Sequence, residues 1–211
     1  IAEYGHRTVL GLDLLIPDPE WNDVCLAAMA RASAETDVKV ISSVFMSNHD
    51  HHLLYSPKRE FAKWQKITHQ ILAEKTNKRL GRKGQVWSAR KPYFATLHSM
   101  RQAVLRVAYH TCNATKAGIA RTFEEHRGLV VVPRNEGYVI EIERPECFGK
   151  RSRVAKHPVL PVVGLRELAP VFLELAERDR NLIAQPAVAN ATAEVTSTGS
   201  TPSNVPAGSR E

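Results

Sequence analysis

The chain has 211 residues, 43% of them apolar, which suffices for one domain with its own core plus an appendage but not for two full domains. The longest apolar runs are strand-sized, and the three widely spaced cysteines lack a C-x-x-C pair, which argues against a membrane span, a disulfide framework and a zinc ribbon. The net charge of +7 is concentrated between Lys58 and Arg121, where fifteen basic residues accompany two acidic ones; this favours a polyanionic partner over an ordinary lysine-rich surface.

The first half of the chain predicts a strand, a helix and two more strands. A short strand is expected at 6–12, followed by an amphipathic helix from Pro17, whose first turn is rich in proline and acids. The β-branched run VKVISSVFM at 38–46 predicts a strand, and HHLLYS resumes extended structure after a bend at Asn48. We expect a cytoplasmic protein, because the first thirty residues lack a basic segment followed by an apolar one.

The second half predicts two helices, a hairpin and a last helix. Residues 57–80 have an apolar face and a lysine face, QVWSARKPYF is a short extended stretch, and a further helix runs from about Ser99 to Thr115. RGLVVVPRNEGYVIEIERP predicts a hairpin around Pro-Arg-Asn-Glu-Gly, and a helix follows from Pro170. The composition of 186–211, mostly Ala, Thr, Ser, Pro, Gly, Asn and Val, predicts a disordered tail.

This order of elements predicts an α+β fold. Strand, helix, strand, strand, helix, strand, helix is the order of a ferredoxin-like split β-α-β layer, with an antiparallel sheet and helices on one side. We therefore predict a domain over 1–125, a C-terminal extension of hairpin, basic segment and helix over 126–185, and the tail.

A cluster of imidazoles follows the bend at Asn48. Side chains alternate along a strand, so His49 and His51 project to one face, and Asp50 and His52 to the other. Two imidazoles on one face are suited to share a divalent cation whose third ligand comes from elsewhere. H-x-H alone is a weak signal, since a structural histidine is the commoner explanation.

The helix near residue 109 carries a polar stripe beside an apolar one. Tyr109 lies one turn from Arg106 and Asn113, an unusual setting for a tyrosine that only packs. A phenol near a cation, opposite a metal-held phosphate, is suited to attack a phosphodiester, and Asn113 could supply a third oxygen ligand. The apolar stripe comprises Met100, Ala103, Val104, Val107 and Thr111, and the polar stripe Gln102, Arg106, Tyr109, Asn113 and Lys116.

Three ordered motifs within residues 1–125 resemble one family. MSNHDHHLL at 46–54 resembles the M-P-N-H-hydrophobic-H-L-L-L segment of the single-tyrosine HUH transposases, especially the REP-associated tyrosine transposases related to the insertion-sequence-200 family. Downstream, Tyr109 to Gly118 follows that group's Y-I-x-x-N-P-x-x-A-G pattern. Between them, GRKGQVWSARKPYF is similar to its G-x-x-W-x-x-x-Y/F stretch.

The resemblance implies a ferredoxin-like catalytic domain that cuts and joins single-stranded DNA. His49, His51 and Asn113 would bind Mg²⁺ or Mn²⁺, and Tyr109 would attack a phosphate to leave a 5′-phosphotyrosine and a free 3′-OH. Members act on hairpin-forming DNA such as REP elements, so the implied protein is nucleoid-associated, as a homodimer or a monomer. The residues predicted to contact DNA are Lys63, Lys66, Arg82, Lys83, Trp87, Arg90, Lys91, Tyr93 and Arg106, with Phe94 as a further stacking candidate.

The chain departs from the family pattern at four positions: Ser47, Asp50, His52 and Ala114. Asp50 and His52 belong to the face that packs under the sheet, where an unpaired charge is costly, so they are expected to pair with each other or with the basic helix. Two other functions remain open: a domesticated DNA-binding protein that no longer cuts, and an unrelated metal-dependent phosphoesterase acting on small molecules.

Overall fold

The computed structural model describes residues 1–184, and the predicted disordered tail at 186–211 lies outside them. Within this part of the chain, no helix combines the length and the apolar content needed to cross a bilayer. The elements in chain order are β1 (Ala2–Arg7), α1 (Pro19–Ala34), β2 (Lys39–Phe45), β3 (His49–Tyr55), α2 (Phe61–Arg79), β4 (Tyr93–Thr96), α3 (Met100–Lys116), β5 (Val130–Val131), β6 (Tyr138–Glu141), β7 (Val159–Val162) and α4 (Leu165–Ala184).

The sheet confirms the α+β class and the split β-α-β order. Its first four strands lie in the order β4-β1-β3-β2, and every neighbouring pair among them is antiparallel. Local sequence fixes the helices between them. The Asp18 carboxylate accepts a hydrogen bond from Trp21 N–H at 2.7 Å, and Pro19 occupies the first turn, where a missing N–H costs nothing.

Helices cover both faces of the sheet, which corrects the prediction that they lie on one side. One apolar core packs α1 and α2 against Val40, Phe45 and Leu54. A second core packs α3 and α4 against Ile41 and Leu53 on the opposite face. The one-sided prediction therefore holds for the two helices of the split β-α-β unit alone.

The first strand is earlier than predicted. β1 ends at Arg7, and Val9–Gly11 forms a 3-10 turn in which Leu10 and Gly11 have positive φ. The apolar residues Leu10 and Leu12 had predicted a strand, yet both side chains are exposed. Pairing with β3 determines the position of the strand instead, because it buries Ala2 to Gly5 between two neighbours.

The predicted hairpin around Pro-Arg-Asn-Glu-Gly does not form. β5 pairs with β2, whereas β6 pairs with β7, a strand that was not predicted from the sequence. The free edge of β2 accepts β5 at one end and β7 at the other, so the extension continues the same sheet. α4 starts at Leu165, five residues before the predicted start at Pro170. Pro170 therefore lies inside the helix.

Candidate functional site

β3 presents its histidines to opposite faces, as the alternation predicted. The rings of His49 and His51 lie edge to face with centroids 5.3 Å apart. Asp50 and His52 are fully buried on the other face, towards α2. The strand thus separates a partly open pair of imidazoles from a closed one.

α3 brings Tyr109 and Asn113 to the same place as His49 and His51. The Tyr109 ring meets the His51 ring edge-on at 5.6 Å between centroids, and Asn113, one turn further along α3, lies close enough to His49 to act on the pKa of that imidazole. The Lys116 ammonium lies 5.3 Å from the centroid of the Tyr109 ring. The beginning of α3 is fixed by the Ser99 hydroxyl, which accepts from Gln102 N–H at 3.3 Å.

The two imidazoles have the chemistry of neutral metal ligands. Burial, followed by the neighbouring charges of His110 and His49, lowers the pKa of His51 to about 4. Burial and Arg7 also lower the pKa of His49. Among residues 1–184, His51 Nδ1 is buried without a hydrogen-bond partner. An unpaired imidazole nitrogen, on a ring next to a second imidazole, has the chemistry of a ligand for a divalent cation.

A cavity of about 840 Å³ opens in front of these side chains. His49, His51 and Tyr109 line it together with three cationic residues, Arg7, Arg90 and Lys91. Tyr93 lies on the same wall and is 47% exposed. Three of the predicted DNA contacts, Arg90, Lys91 and Tyr93, therefore share a cavity with the predicted nucleophile.

The remaining predicted DNA contacts lie elsewhere. Lys63 and Lys66 are exposed on α2, on the face of the sheet opposite Tyr109, and Lys63 Nζ donates to Glu35 O at 2.7 Å. Arg82 and Lys83 follow α2 and do not line the cavity.

Trp87 corrects one of these predictions. Its side chain is 8% exposed, its ring stacks on His69 with centroids 3.8 Å apart, and its Nε1–H donates to His69 O at 3.0 Å. A base cannot stack on a ring face that is already covered. Phe94 is exposed but lies near Phe61, on the α2 face.

Arg106 pairs with an acid that the sequence reading missed. Its Nε lies 3.0 Å from Glu3 Oε2, and His110 Nε2 lies 3.7 Å from Glu3 Oε1. One ligand atom each of Glu3, His51 and His110 lies within 4.8 Å of the others, so they form a second possible ligand set around His51. The Arg106 contact opposes this use of Glu3, because it already compensates the carboxylate.

The buried side of α3 differs from the predicted stripe. Val104 is 47% exposed, whereas His110 and Asn113 are buried beside Ala103. The His110 ring is held by Ser42 Oγ at 2.7 Å from its Nδ1, deep under the sheet. Glu3 precedes the predicted first strand, and His110 belongs to neither predicted stripe of the helix. The sequence therefore did not predict the contact between them.

On the opposite face, the prediction that Asp50 pairs with its neighbours is confirmed. Asp50 Oδ2 lies 2.7 Å from His69 Nε2 on α2 and 3.1 Å from His52 Nε2. Burial would raise the pKa of Asp50, but the His69 and His52 rings outweigh it and hold that pKa well below its usual range. The sequence named the basic helix as a partner but did not single out His69.

Gly5 allows His51 to lie across β1. A Cβ at this position would lie 2.6 Å from His51 Nδ1, so Gly5→Ala forces the imidazole to move. We expect a loss of about 1–3 kcal/mol in the free energy of unfolding, typical of overpacking. In a His51→Ala background the same substitution should cost less, because the contact with Asp50 O at 3.2 Å is then the one tight contact that remains. Urea unfolding of the four proteins checks this, and an equal cost in both backgrounds would contradict the contact.

Buried histidines make the fold sensitive to mild acid. Burial lowers the pKa of each of His49, His51, His69, His110 and His126 below the ordinary value of 6.5. Between pH 6.5 and about 4, the unfolded chain therefore binds protons that the folded chain does not. The free energy of unfolding should fall as the pH falls through this window.

Urea unfolding in chelator at pH 7 and pH 4.5 measures this effect. The loss should be smaller in a His51→Gln variant, which lacks one of the titrating groups. A free energy of unfolding that stays constant or rises on acidification would contradict the burial of these rings.

No protein-family model and no curated protein matches the sequence. Among solved structures, one described as a REP-associated tyrosine transposase bound to a REP hairpin is similar, with a TM-score of 0.47 and 14% sequence identity. The likeness covers 59% of this chain and 73% of that one.

Proposed function

We propose that this protein is a metal-dependent DNA transesterase that cuts and rejoins single-stranded DNA through Tyr109. The observation that carries the proposal is that His49, His51 and Tyr109 line one cavity, with Asn113 one turn further along α3, although the sequence separates the imidazoles from the phenol by nearly sixty residues. The three ordered motifs resembling REP-associated tyrosine transposases support the same chemistry.

The phenol is the nucleophile in this proposal. The Tyr109 oxygen attacks the phosphorus, the bond from phosphorus to the 3′ oxygen breaks, and the DNA 5′ phosphate becomes attached to the tyrosine. The phenol gives up its proton, and the departing 3′ oxygen gains one, so the step needs no oxidant or energy source. Rejoining is the same exchange in reverse, with a 3′-OH attacking the phosphotyrosine.

His49, His51 and Asn113 are the proposed ligands of Mg²⁺ or Mn²⁺. A cation held there would withdraw charge from the phosphate oxygens as the new bond forms. The low pKa of His51, about 4, keeps this imidazole unprotonated at neutral pH. The Lys116 ammonium, 5.3 Å from the centroid of the Tyr109 ring, adds a positive charge beside the nucleophile.

The cavity wall suits an unpaired strand. Arg7, Arg90 and Lys91 offer charges to successive phosphates, and the exposed ring of Tyr93 offers a surface on which a base can stack. A fully paired duplex hides its base faces, so this combination favours single-stranded substrates, including the unpaired flanks of a hairpin.

A covalent capture assay tests the proposal. The full chain is incubated with 5′- or 3′-end-labelled single-stranded oligonucleotides, with and without a hairpin, in Mg²⁺, Mn²⁺ or chelator, and run on a denaturing gel. We expect a protein-DNA adduct that requires the metal and retains the DNA segment 3′ of the cut. A duplex of the same sequence should give far less.

Two outcomes would contradict transesterification. A gel shift that weakens steeply with salt but is never followed by an adduct indicates a DNA-binding protein that does not cut. Turnover of a generic phosphodiester that DNA competitor does not inhibit indicates a small-molecule phosphoesterase.

A further inference from the structure

A second cluster of possible metal ligands lies behind the sheet, on the face opposite the cavity. Asp50, His52 and His69 each offer one ligand atom, and the three atoms lie within 4.8 Å of one another. Asp50 Oδ2 is 2.7 Å from His69 Nε2 and 3.1 Å from His52 Nε2. All three side chains are buried, and of the three residues Asp50 alone borders the cavity that contains Tyr109.

The outer atoms of these ligands are held by other groups. His52 Nδ1 lies 2.9 Å from Ser43 Oγ, and His69 Nδ1 lies 3.4 Å from His6 Nδ1. The backbone N–H of His6 donates to Asp50 Oδ1 at 3.0 Å. Such outer contacts orient histidine and carboxylate ligands in metal sites, and the inner atoms of this cluster face one another around Asp50 Oδ2.

One inner atom lacks a partner. Among residues 1–184, His52 Nε2 is buried and makes no hydrogen bond, although it lies close to Asp50 Oδ2. A buried ring nitrogen without a hydrogen bond is costly, and the contact with Asp50 Oδ2 compensates the lost water only in part. A cation at the centre of the three residues would satisfy this nitrogen and compensate the carboxylate.

Aromatic rings close the cluster on several sides. The His52 ring lies 5.1 Å from the Phe45 ring and 5.2 Å from the Trp64 ring, measured between centroids. The Trp87 ring covers His69 with centroids 3.8 Å apart. An ion enclosed in this way cannot meet a DNA phosphate, so its effect would be on the stability of the fold.

We propose that Asp50, His52 and His69 form a second, structural metal site that takes a divalent transition cation such as Zn²⁺. Two imidazoles and one carboxylate are a donor set that Zn²⁺ commonly accepts. The site ties β3 to α2 beneath the strand that carries His49 and His51. It does not depend on the proposed DNA chemistry.

The test separates this site from the open one by removing the latter. The full chain carrying His49→Ala and His51→Ala is stripped with chelator and titrated with Zn²⁺, and bound zinc per chain is measured by mass spectrometry of the metal. We expect about one zinc to remain, together with a higher midpoint of thermal unfolding when zinc is added. His98→Ala, which removes an exposed histidine, is the matched control.

Adding Asp50→Asn or His52→Leu to the same background should weaken zinc binding by at least about 100-fold and abolish the thermal shift. His52→Leu keeps the contact between Asp50 and His69, so it decides the matter if Asp50→Asn fails to fold. The proposal is overturned if the background protein binds no zinc, or if either folded variant binds zinc as tightly as the background. The capture assay on the unsubstituted chain is unaffected by either result.

Discussion

Tyr109→Phe should abolish the covalent adduct with single-stranded DNA while leaving DNA binding within a few-fold of the original. The substitution removes one oxygen, keeps the ring against His51 and leaves Arg7, Arg90 and Lys91 in the cavity. Loss of a nucleophile commonly costs a factor on the order of 10⁴ or more in rate. Adduct formation in Mn²⁺ and gel-shift affinity, measured on the same oligonucleotide, check both parts.

Tyr93→Phe is the matched control for this experiment. Tyr93 is the other tyrosine that lines the cavity, and its hydroxyl lies 3.4 Å from an Arg106 nitrogen. Phenylalanine keeps the ring on which a base can stack, so the adduct should persist. If Tyr93→Phe removed the adduct and Tyr109→Phe did not, the assignment of the nucleophile would be wrong.

His51→Ala should have the second largest effect, because it removes a metal ligand without touching the phenol. We expect adduct formation to fall on the order of 100-fold or more at low Mn²⁺, since a lost outer contact to a ligand already costs 10–100-fold. DNA binding at moderate salt should change little, because the cavity cations remain. A titration of adduct yield against Mn²⁺ measures the effect.

His98→Ala controls for the general loss of an imidazole, since His98 is exposed and does not line the cavity. A His51→Ala protein that forms the adduct at the original rate in chelator would contradict any role of the metal. The combination with Asn113→Ala is informative, because Asn113 and His51 approach the site from different elements and their effects should reveal a shared ion by non-additivity.

Local patterns in the sequence predicted the two parts of the site. The alternation of His49, Asp50, His51 and His52 along a strand follows from a period of two, which tertiary structure did not alter. The spacing of Tyr109 and Asn113 follows from a helix in the same way. The split β-α-β order was readable because each of its elements carries its own pattern.

Contacts between distant elements were not predictable from these patterns. Arg7 is the last residue of β1 and lines the cavity. The apolar residues that follow it in the sequence had predicted a later strand. In the sequence, His69 is one residue of a predicted basic helix. Its pattern did not indicate that the side chain contacts Asp50. The sequence pattern around Trp87 is that of an exposed aromatic residue in a loop, but its ring is stacked on the buried His69 ring.

The pairing of the C-terminal strands was predicted wrongly for a related reason. β5 and β6 each have the composition of a strand, and a turn-like sequence lies between them, so a hairpin was the simplest pairing. The edge of β2 offers a better partner to β5, since it extends a sheet that is already packed on both faces. Composition identifies a strand but not its neighbour.

The most direct measurement is the chemical identity of the link between protein and DNA. An adduct formed on a single-stranded oligonucleotide in Mn²⁺ is digested with protease and nuclease, and the modified peptide is sequenced by mass spectrometry. We expect a nucleotide joined through its 5′ phosphate to Tyr109, and a free 3′-OH on the released fragment. A link to another residue, a 3′ phosphate attachment, or cleavage that leaves the protein unmodified would contradict it.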